Sequence, residues 1–404
     1  MKVGLLLFSD FPDGAALGRR TYLLAKGFAR ARHDVDVIVA QRFQSGPRHE
    51  ALDGFRVSWA ATTTPGEFHR LSERLRARWG TMKLVQALTR AGLDWLVIVF
   101  PELDRLPHLL MARRRGTRIA VSYEDERTLP PNPTLRDRYL ATRGRLADRV
   151  FPRLCDLTLP TSRLLESRLR ARAPRTPSFL LPALVDTSTF RFDEGGAASF
   201  RDKWHLGDAP VISYLGTYWH VEGLANLLHA AAEMRALGTR FRLVISGKQH
   251  AGHRCDNVAS IAKSLGIQDL LVETGWLPTT DVVAAMSVAD ILVVPKIEHT
   301  ANAAGLPAKL AEYLSVGRPV VASNVGDISQ YVNDGDDALL CKPGDIRALR
   351  DCLTSLLQDE PLRRKLAANA RRAALREFDY ETVAANAADA MSCVAGGRPV
   401  ATHR

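Results

Sequence analysis

The run Gly305-Leu306-Pro307-Ala308-Lys309-Leu310-Ala311-Glu312-Tyr313-Leu314-Ser315-Val316-Gly317-Arg318-Pro319-Val320-Val321-Ala322-Ser323 is punctuated as a helix set between two strands. An apolar run, Ile291 to Val294, precedes it and stops at Pro295. Pro307 suits a first helical turn, where its missing N–H would be unsatisfied anyway. Gly317 suits the position just past a helix end, and Pro319 cannot continue a helix. Leu306, Leu310 and Leu314 then share one face. Lys309 and Glu312 share another at i,i+3 spacing. Open parallel sheets bind ligands outside the carboxyl ends of their strands, and helix N-termini attract anions. A cation and a carboxylate at such a helix start suit a ligand with phosphates and hydroxyls, such as a nucleotide.

Outward from this run, the same alternation continues. In the first half, Val3–Phe8, Val35–Val39, Phe55–Trp59, Trp95–Val99, Arg118–Ser122 and Asp156–Leu159 read as strands. Between the first two, Leu17, Thr21, Leu24 and Phe28 mark one helix face after the Gly14…Gly18 loop. In the second half, Val211–Leu215, Phe241–Ser246, Leu270–Glu273, Ile291–Val294, Pro319–Ala322 and Ala338–Leu340 repeat the pattern. Strands alternating with helices at this spacing make βαβ units and parallel sheets covered on both faces. Two doubly wound domains facing a cleft are therefore expected: 1–180, a linker over 181–207 marked by loss of periodicity, and 208–375. Residues 376–404 are expected to form a C-terminal helix that crosses back to the first domain.

Length and composition suit two ordinary globular domains, with 404 residues, 46 % hydrophobic and 25 % charged. No apolar stretch approaches the roughly 20 residues that span a bilayer. The opening Met1–Phe8 reads as a first strand and not a leader. Five scattered cysteines suit a reduced, cytoplasmic protein. Charge is uneven: residues 1–190 hold 32 Lys and Arg against 19 Asp and Glu, while the rest holds 23 against 25. That asymmetry points to an anionic partner or to arginines on a solvated face. Residues 67–90 read as a basic amphipathic helix, with Leu71, Leu75 and Trp79 opposite Arg70, Arg74 and Arg78; Arg76 and Lys83 add to its charge. It either lies on an anionic membrane or packs its apolar positions on the sheet. Aromatic interleaving of the kind that binds single-stranded nucleic acid is missing, so no nucleic-acid partner is expected.

A resemblance enters through Ile212-Ser213-Tyr214-Leu215-Gly216, Glu222-Gly223, Leu227-Leu228-His229-Ala230, Phe241–Gly247, Gly275-Trp276-Leu277-Pro278, Ala289–Pro295, the opening run, Val325-Gly326-Asp327 and Asn333-Asp334-Gly335. In this order and spacing they resemble the C-terminal domain of retaining GT-B glycosyltransferases of the family 4 type, over about residues 205 to 345. The N-terminal domain matches loosely, through Phe11-Pro12-Asp13-Gly14 and His33-Asp34-Val35. The resemblance implies a GT-B architecture and transfer of a sugar from a UDP- or GDP-linked donor with retention. It also implies that no metal or cofactor is required, and it points to a bacterial polysaccharide or secondary-metabolite pathway. The acceptor would be lipid-linked, a saccharide or a small molecule, and a peripheral contact with the inner face of the membrane is a further expectation. A nucleotide-sugar epimerase of the same fold, or a catalytically inactive binding subunit, is the alternative.

The same resemblance assigns candidate residues. Glu312 would bind the ribose hydroxyls and Lys309 a donor phosphate. Gly14, Gly216, Thr217, Lys248, Gly305 and Leu306 complete the donor-binding set. Where the family has an Arg and a Lys between the Gly216 strand and Gly223, this chain has Thr217 and Glu222. The family's earlier Glu falls at Ala304, and a Gly before the helix falls near Pro307. An N-terminal His of the family is replaced by Glu124, within Tyr123-Glu124-Asp125-Glu126. Glu124, Asp125 and Lys248 are therefore the catalytic candidates. His250, His253 and Cys255 share one loop without a fourth ligand, so no metal site is expected there.

Overall fold

The computed structural model describes residues 1–9, 11–12, 16–40, 49–60, 71–124, 133–249 and 254–400, and for 71–76 the backbone only. The chain divides into two compact units: Met1–Leu184 with Tyr380–Arg404, and Val185–Asp379.

The first unit is a seven-stranded sheet in the order β3-β4-β2-β1-β5-β6-β7. Its strands are β1 (Lys2–Leu7), β2 (Asp34–Val39), β3 (His49–Leu52), β4 (Phe55–Trp59), β5 (Trp95–Val99), β6 (Arg118–Tyr123) and β7 (Leu157–Pro160). Its helices are α1 (Ala16–Arg30), α2 (Leu71–Arg90), α3 (Leu106–Arg114), α4 (Leu135–Leu154) and α5 (Arg163–Arg172). Central strands such as β1 and β5 are apolar throughout because both faces are covered. Only β3 is antiparallel, joined to β4 through Asp53 and Gly54, both at positive φ. No strand was expected at β3, because His49-Glu50-Ala51-Leu52 is a polar edge without an apolar run. The Asp-Gly pair is the local signal that marks this hairpin.

Right-handed crossovers place helices by the direction in which the chain moves across the sheet. α1 carries the chain from β1 to β2, whereas α2, α3 and α4 carry it the opposite way, through β5, β6 and β7. The latter three therefore cover one face, with α2 beside α3. On α2 the buried positions are Ala77, Thr81, Val85 and Thr89. Trp79 consequently points outward, 70 % exposed, instead of packing on the sheet. Arg78 is held by Asp104 at 2.8 Å.

The second unit is a six-stranded, all-parallel sheet in the order β10-β9-β8-β11-β12-β13. Its strands are β8 (Val211–Thr217), β9 (Arg242–Lys248), β10 (Leu271–Gly275), β11 (Ile291–Val294), β12 (Val320–Ser323) and β13 (Leu339–Cys341). Helices α6 (Glu194–Lys203), α7 (Leu224–Ala236), α8 (Val258–Ser264), α9 (Thr279–Ser287), α10 (Thr300–Ala304), α11 (Ala308–Val316), α12 (Ile328–Tyr331), α13 (Ile346–Gln358) and α14 (Glu360–Glu377) surround it. The last helix, α15 (Tyr380–Ala395), belongs to the first unit and packs on α1. A side chain on Gly27 of α1 would lie 2.4 Å from the Ala384 methyl. Small residues thus let these two helices meet closely. Residues 181–207 carry α6, and the boundary between the units falls inside them, after Leu184. The expected pair of doubly wound, Rossmann-like sheets is present, one in each unit. Among the described residues no helix is long and apolar enough to cross a membrane.

Candidate functional site

At the carboxyl ends of β8 and β11, three charged side chains converge. Glu222 lies in a one-turn helix after β8 and is 7 % exposed. Lys296 follows β11 by two residues, and its Nζ donates to Glu222 Oε1 at 2.7 Å and to Asn302 Oδ1 at 2.9 Å. Lys309, in the first turn of α11, donates to Glu222 Oε2 at 2.6 Å and to Tyr214 Oη at 2.8 Å. Its ammonium also lies 4.2 Å from the centre of the Tyr214 ring. Asn302 is fixed in turn by donating to the carbonyls of Val221 and Ile297, both at 2.8 Å. Tyr313, one turn along α11, accepts from the Leu215 N–H and donates to its carbonyl, so it ties the helix to β8.

Two ammonium groups share one carboxylate, which leaves one positive charge in excess. Burial alone would raise the pKa of Glu222, but Lys309 and Lys296 outweigh it and hold the carboxyl at about 2. Burial pushes the Lys309 pKa down, against the opposing pull of Glu222. Burial likewise pushes the Tyr214 hydroxyl well above its ordinary pKa, with Glu222 adding to the shift. Tyr214 is therefore a neutral hydrogen-bonding group at neutral pH. A nearly buried cation cluster in excess over its counterion is a fitting place for an anion.

The backbone here approaches very closely. A Cβ on Gly216 would sit 2.5 Å from Lys309 Nζ and 2.9 Å from Tyr214 Oη. On Gly247, which pairs with Gly216 across β8 and β9, it would overlap the Gly216 carbonyl at 1.7 Å. Thr217 pairs with Lys248 at the next register position. Lys248 is exposed at the end of β9, its ammonium 4.2 Å from the centre of the Trp276 ring, and Trp276 is itself 60 % exposed. Gly305 and Leu306 form the turn between α10 and α11. A Cβ on Gly326 would lie 2.8 Å from the Asn302 carbonyl and 3.1 Å from that of Gly305, so the Val325-Gly326-Asp327 turn backs this loop. Glu312 is half-buried, three residues after Lys309, and its charge raises the pKa values of both Lys309 and Tyr313.

The structure thus gathers Gly216, Thr217, Gly305, Leu306, Lys309 and Glu312 around one set of strand ends, with Lys248 on the neighbouring strand. Glu124 belongs to the other unit. There it pairs with Arg20 Nε at 2.5 Å, accepts from Ser122 Oγ at 2.5 Å, and its carbonyl accepts from Thr161 at 2.9 Å. A carboxylate so held is an oriented charge. Gly14, Asp125, His250 and His253 lie outside the described residues, and among those described no group of three or more metal-ligating side chains occurs. Sequence reading missed Lys296, Asn302 and Tyr214, and took Glu222 only as a departure from a pattern. The available signal was a lysine directly after Pro295, the residue that stops the apolar run of β11.

Residues 198–373 match the family model "Glycosyl transferases group 1". Over 363 residues the chain is 28 % identical to the 2-deoxystreptamine glucosyltransferase of Streptomyces kanamyceticus, covering 85 % of this chain and 87 % of that one. It is 24 % identical over 266 residues to the alpha-D-kanosaminyltransferase of the same organism, 65 % of this chain and 67 % of that one. Among solved structures, sucrose-phosphate synthase from Thermosynechococcus elongatus superposes with TM-score 0.75 at 16 % identity, over 98 % of this chain and 99 % of that one. Anabaena HepE in complex with UDP and glucose gives 0.71 at 17 %, over 97 % and 99 %. Both likenesses are of fold. Residues 198–373, which hold Glu222, Lys296, Lys309 and Glu312, form a glycosyl transferases group 1 domain within a GT-B fold.

Proposed function

We propose that this protein is a retaining glycosyltransferase that moves a sugar from a UDP- or GDP-linked donor to a small polyhydroxylated acceptor. The observation that carries the reading is the excess cation formed by Lys296 and Lys309 over Glu222, at strand ends within the matched domain. The donor diphosphate is the anion it would stabilise, and the charge that builds on a leaving diphosphate is what fixed cations favour. Lys248 would add a point charge from the next strand end. Glu312 would accept hydrogen bonds from the ribose hydroxyls. In the first unit, Glu124, a carboxylate held by Arg20, and Asp125 are the proposed acceptor-side residues. The acceptor class is supported by the relative aligned along most of the chain, whose name gives 2-deoxystreptamine as its acceptor. Free thiols at all five cysteines suit a cytoplasmic enzyme.

The test is calorimetric titration with UDP, GDP and their glucose and mannose conjugates, followed by turnover on aminocyclitol and saccharide acceptors. Glu312→Ala is expected to weaken nucleotide binding roughly ten- to hundredfold, since a hydrogen bond to a charged group contributes about 1.5–3 kcal/mol. The melting temperature should barely move. Normal binding by a destabilised variant would make Glu312 a structural residue. Turnover is also expected to persist in EDTA. Loss in EDTA with recovery in Mg²⁺ or Mn²⁺ would overturn metal independence. Glu222 at a position where the family has a lysine favours one second reading, an inactive nucleotide-binding subunit. Binding without turnover over the whole acceptor panel would select it.

A further inference from the structure

An ammonium group carries three N–H donors, and each of the two at the β8 and β11 strand ends has two of them engaged. Lys296 gives one to Glu222 Oε1 and one to Asn302 Oδ1. Lys309 gives one to Glu222 Oε2 and one to Tyr214 Oη. The two neutral acceptors are fixed in orientation. Both amide hydrogens of Asn302 go to the carbonyls of Val221 and Ile297, so its oxygen must face Lys296. The Tyr214 hydroxyl donates to the Thr217 carbonyl at 2.7 Å, so its oxygen is left for Lys309. Among the described residues, one N–H of each lysine therefore remains. The two ammonium groups sit on the two oxygens of one carboxylate, which sets them side by side. The space that a Gly216 side chain would fill adjoins the Lys309 ammonium and the Tyr214 hydroxyl, and glycine puts nothing into it.

We infer that Glu222 is a positioning residue, whose carboxylate holds Lys296 and Lys309 as the two prongs of one grip on a single phosphoryl group. The inference rests on the donor reading above for its natural ligand, but such a grip also takes inorganic pyrophosphate. A carboxylate here does not cancel the site. It offsets one positive charge and fixes the direction of both lysines. It also sets the pH range over which the grip works. Burial lowers the pKa of Lys309, Glu222 pulls it back up, Lys296 lowers it and Glu312 raises it. Tyr214 of β8 and Tyr313 of α11 stay neutral beside it, because burial raises both hydroxyls. Of the helices packed on α11, α9 brings Asp281, which pairs with Lys203, and α14 brings Arg371, which binds the Ser315 carbonyl. Glu222 is thus the hydrogen-bonded anion that keeps Lys309 protonated as pH rises. Without it, an ammonium so buried sheds its proton in preference to staying unpaired.

The experiment is calorimetric titration of the full chain with pyrophosphate, UDP, GDP, uridine and guanosine from neutral to alkaline pH. Each variant is compared with the parent at the same pH, so that titration of the ligand cancels. Glu222→Gln keeps the side-chain volume and an acceptor oxygen. Its affinity for pyrophosphate and for the nucleotides should begin to fall about 1–3 pH units below the parent's, the displacement that loss of one adjacent opposite charge produces. Lys296→Met removes a like charge, so there the fall should move to higher pH. One prong is also lost, and affinity near neutral pH should be about ten- to a hundredfold weaker. Uridine and guanosine, which lack the phosphates, should bind all three proteins alike. A variant that merely loosened the fold would weaken nucleoside and nucleotide together. If Glu222→Gln does not fold, the direction of the Lys296→Met displacement decides. The parent's pH profile in Glu222→Gln, or displacement of both variants in the same direction, would overturn the inference while nucleotide binding upheld the donor reading. Pyrophosphate bound with the expected displacements, but no nucleotide bound, would uphold the grip and overturn the donor reading. Binding of neither would overturn both.

Discussion

Glu222→Ala is expected to destabilise the 185–379 unit by about 3–5 kcal/mol, because it leaves two nearly buried ammonium groups without their shared carboxylate. In a unit of this size that corresponds to a fall in melting temperature of roughly 10 °C. Scanning calorimetry of the full chain reads it. Glu222→Met combined with Lys309→Met should recover part of the loss, since an apolar pair of similar volume removes one charge from each side. The same cluster predicts a pH response. Folding holds the Glu222 carboxyl at about 2, below its ordinary value of 4.5. A carboxyl depressed in this way contributes stability above its unfolded pKa, and that contribution is lost as pH falls from about 4.5 toward about 2. The alanine variant should lack this part of the acid transition. A loss under about 1 kcal/mol with an unchanged acid limb would show that the cluster does not form as described.

The second large effect is expected at Gly223. It sits at φ +78°, closing the turn that carries Glu222 and opening α7. A Cβ there would lie 1.9 Å from the Pro295 carbonyl oxygen. Gly223→Ala must bear the left-handed backbone, about 1–2 kcal/mol, and also displace the end of β11. Overpacking adds about 1–3 kcal/mol, so a total near 3 kcal/mol is expected. Lys296 follows Pro295 directly, so nucleotide affinity should fall with stability. Gly207→Ala is the control: its φ is +61°, but nothing lies within 4 Å of the added methyl. It should show the backbone cost alone and normal nucleotide affinity. Equal losses at the two positions would exclude the steric account.

How far the chain could be read in advance depended on the range of the forces involved. Strand and helix alternation, the limits of α11 at Pro307 and Gly317, and the doubly wound class follow from local periodicity and punctuation, which neighbouring residues carry. So did the candidacy of Lys309 and Glu312, three residues apart on one helix. The β3 edge escaped because a short polar strand is made by pairing with β4 and not by its own apolar pattern. The meaning of Glu222 escaped for a similar reason. Lys296 and Lys309 lie 74 and 87 residues from it in the chain, and only the sheet order β8-β11-β12 brings them within 2.7 Å. A residue that looked like a missing cation proved to be the counterion for two. The outward side of α4 likewise needed three dimensions. Its leucines and tyrosine have helical spacing whether they face core or solvent, and only the burial of Gly144, Ala147 and Phe151 decides which side is left exposed.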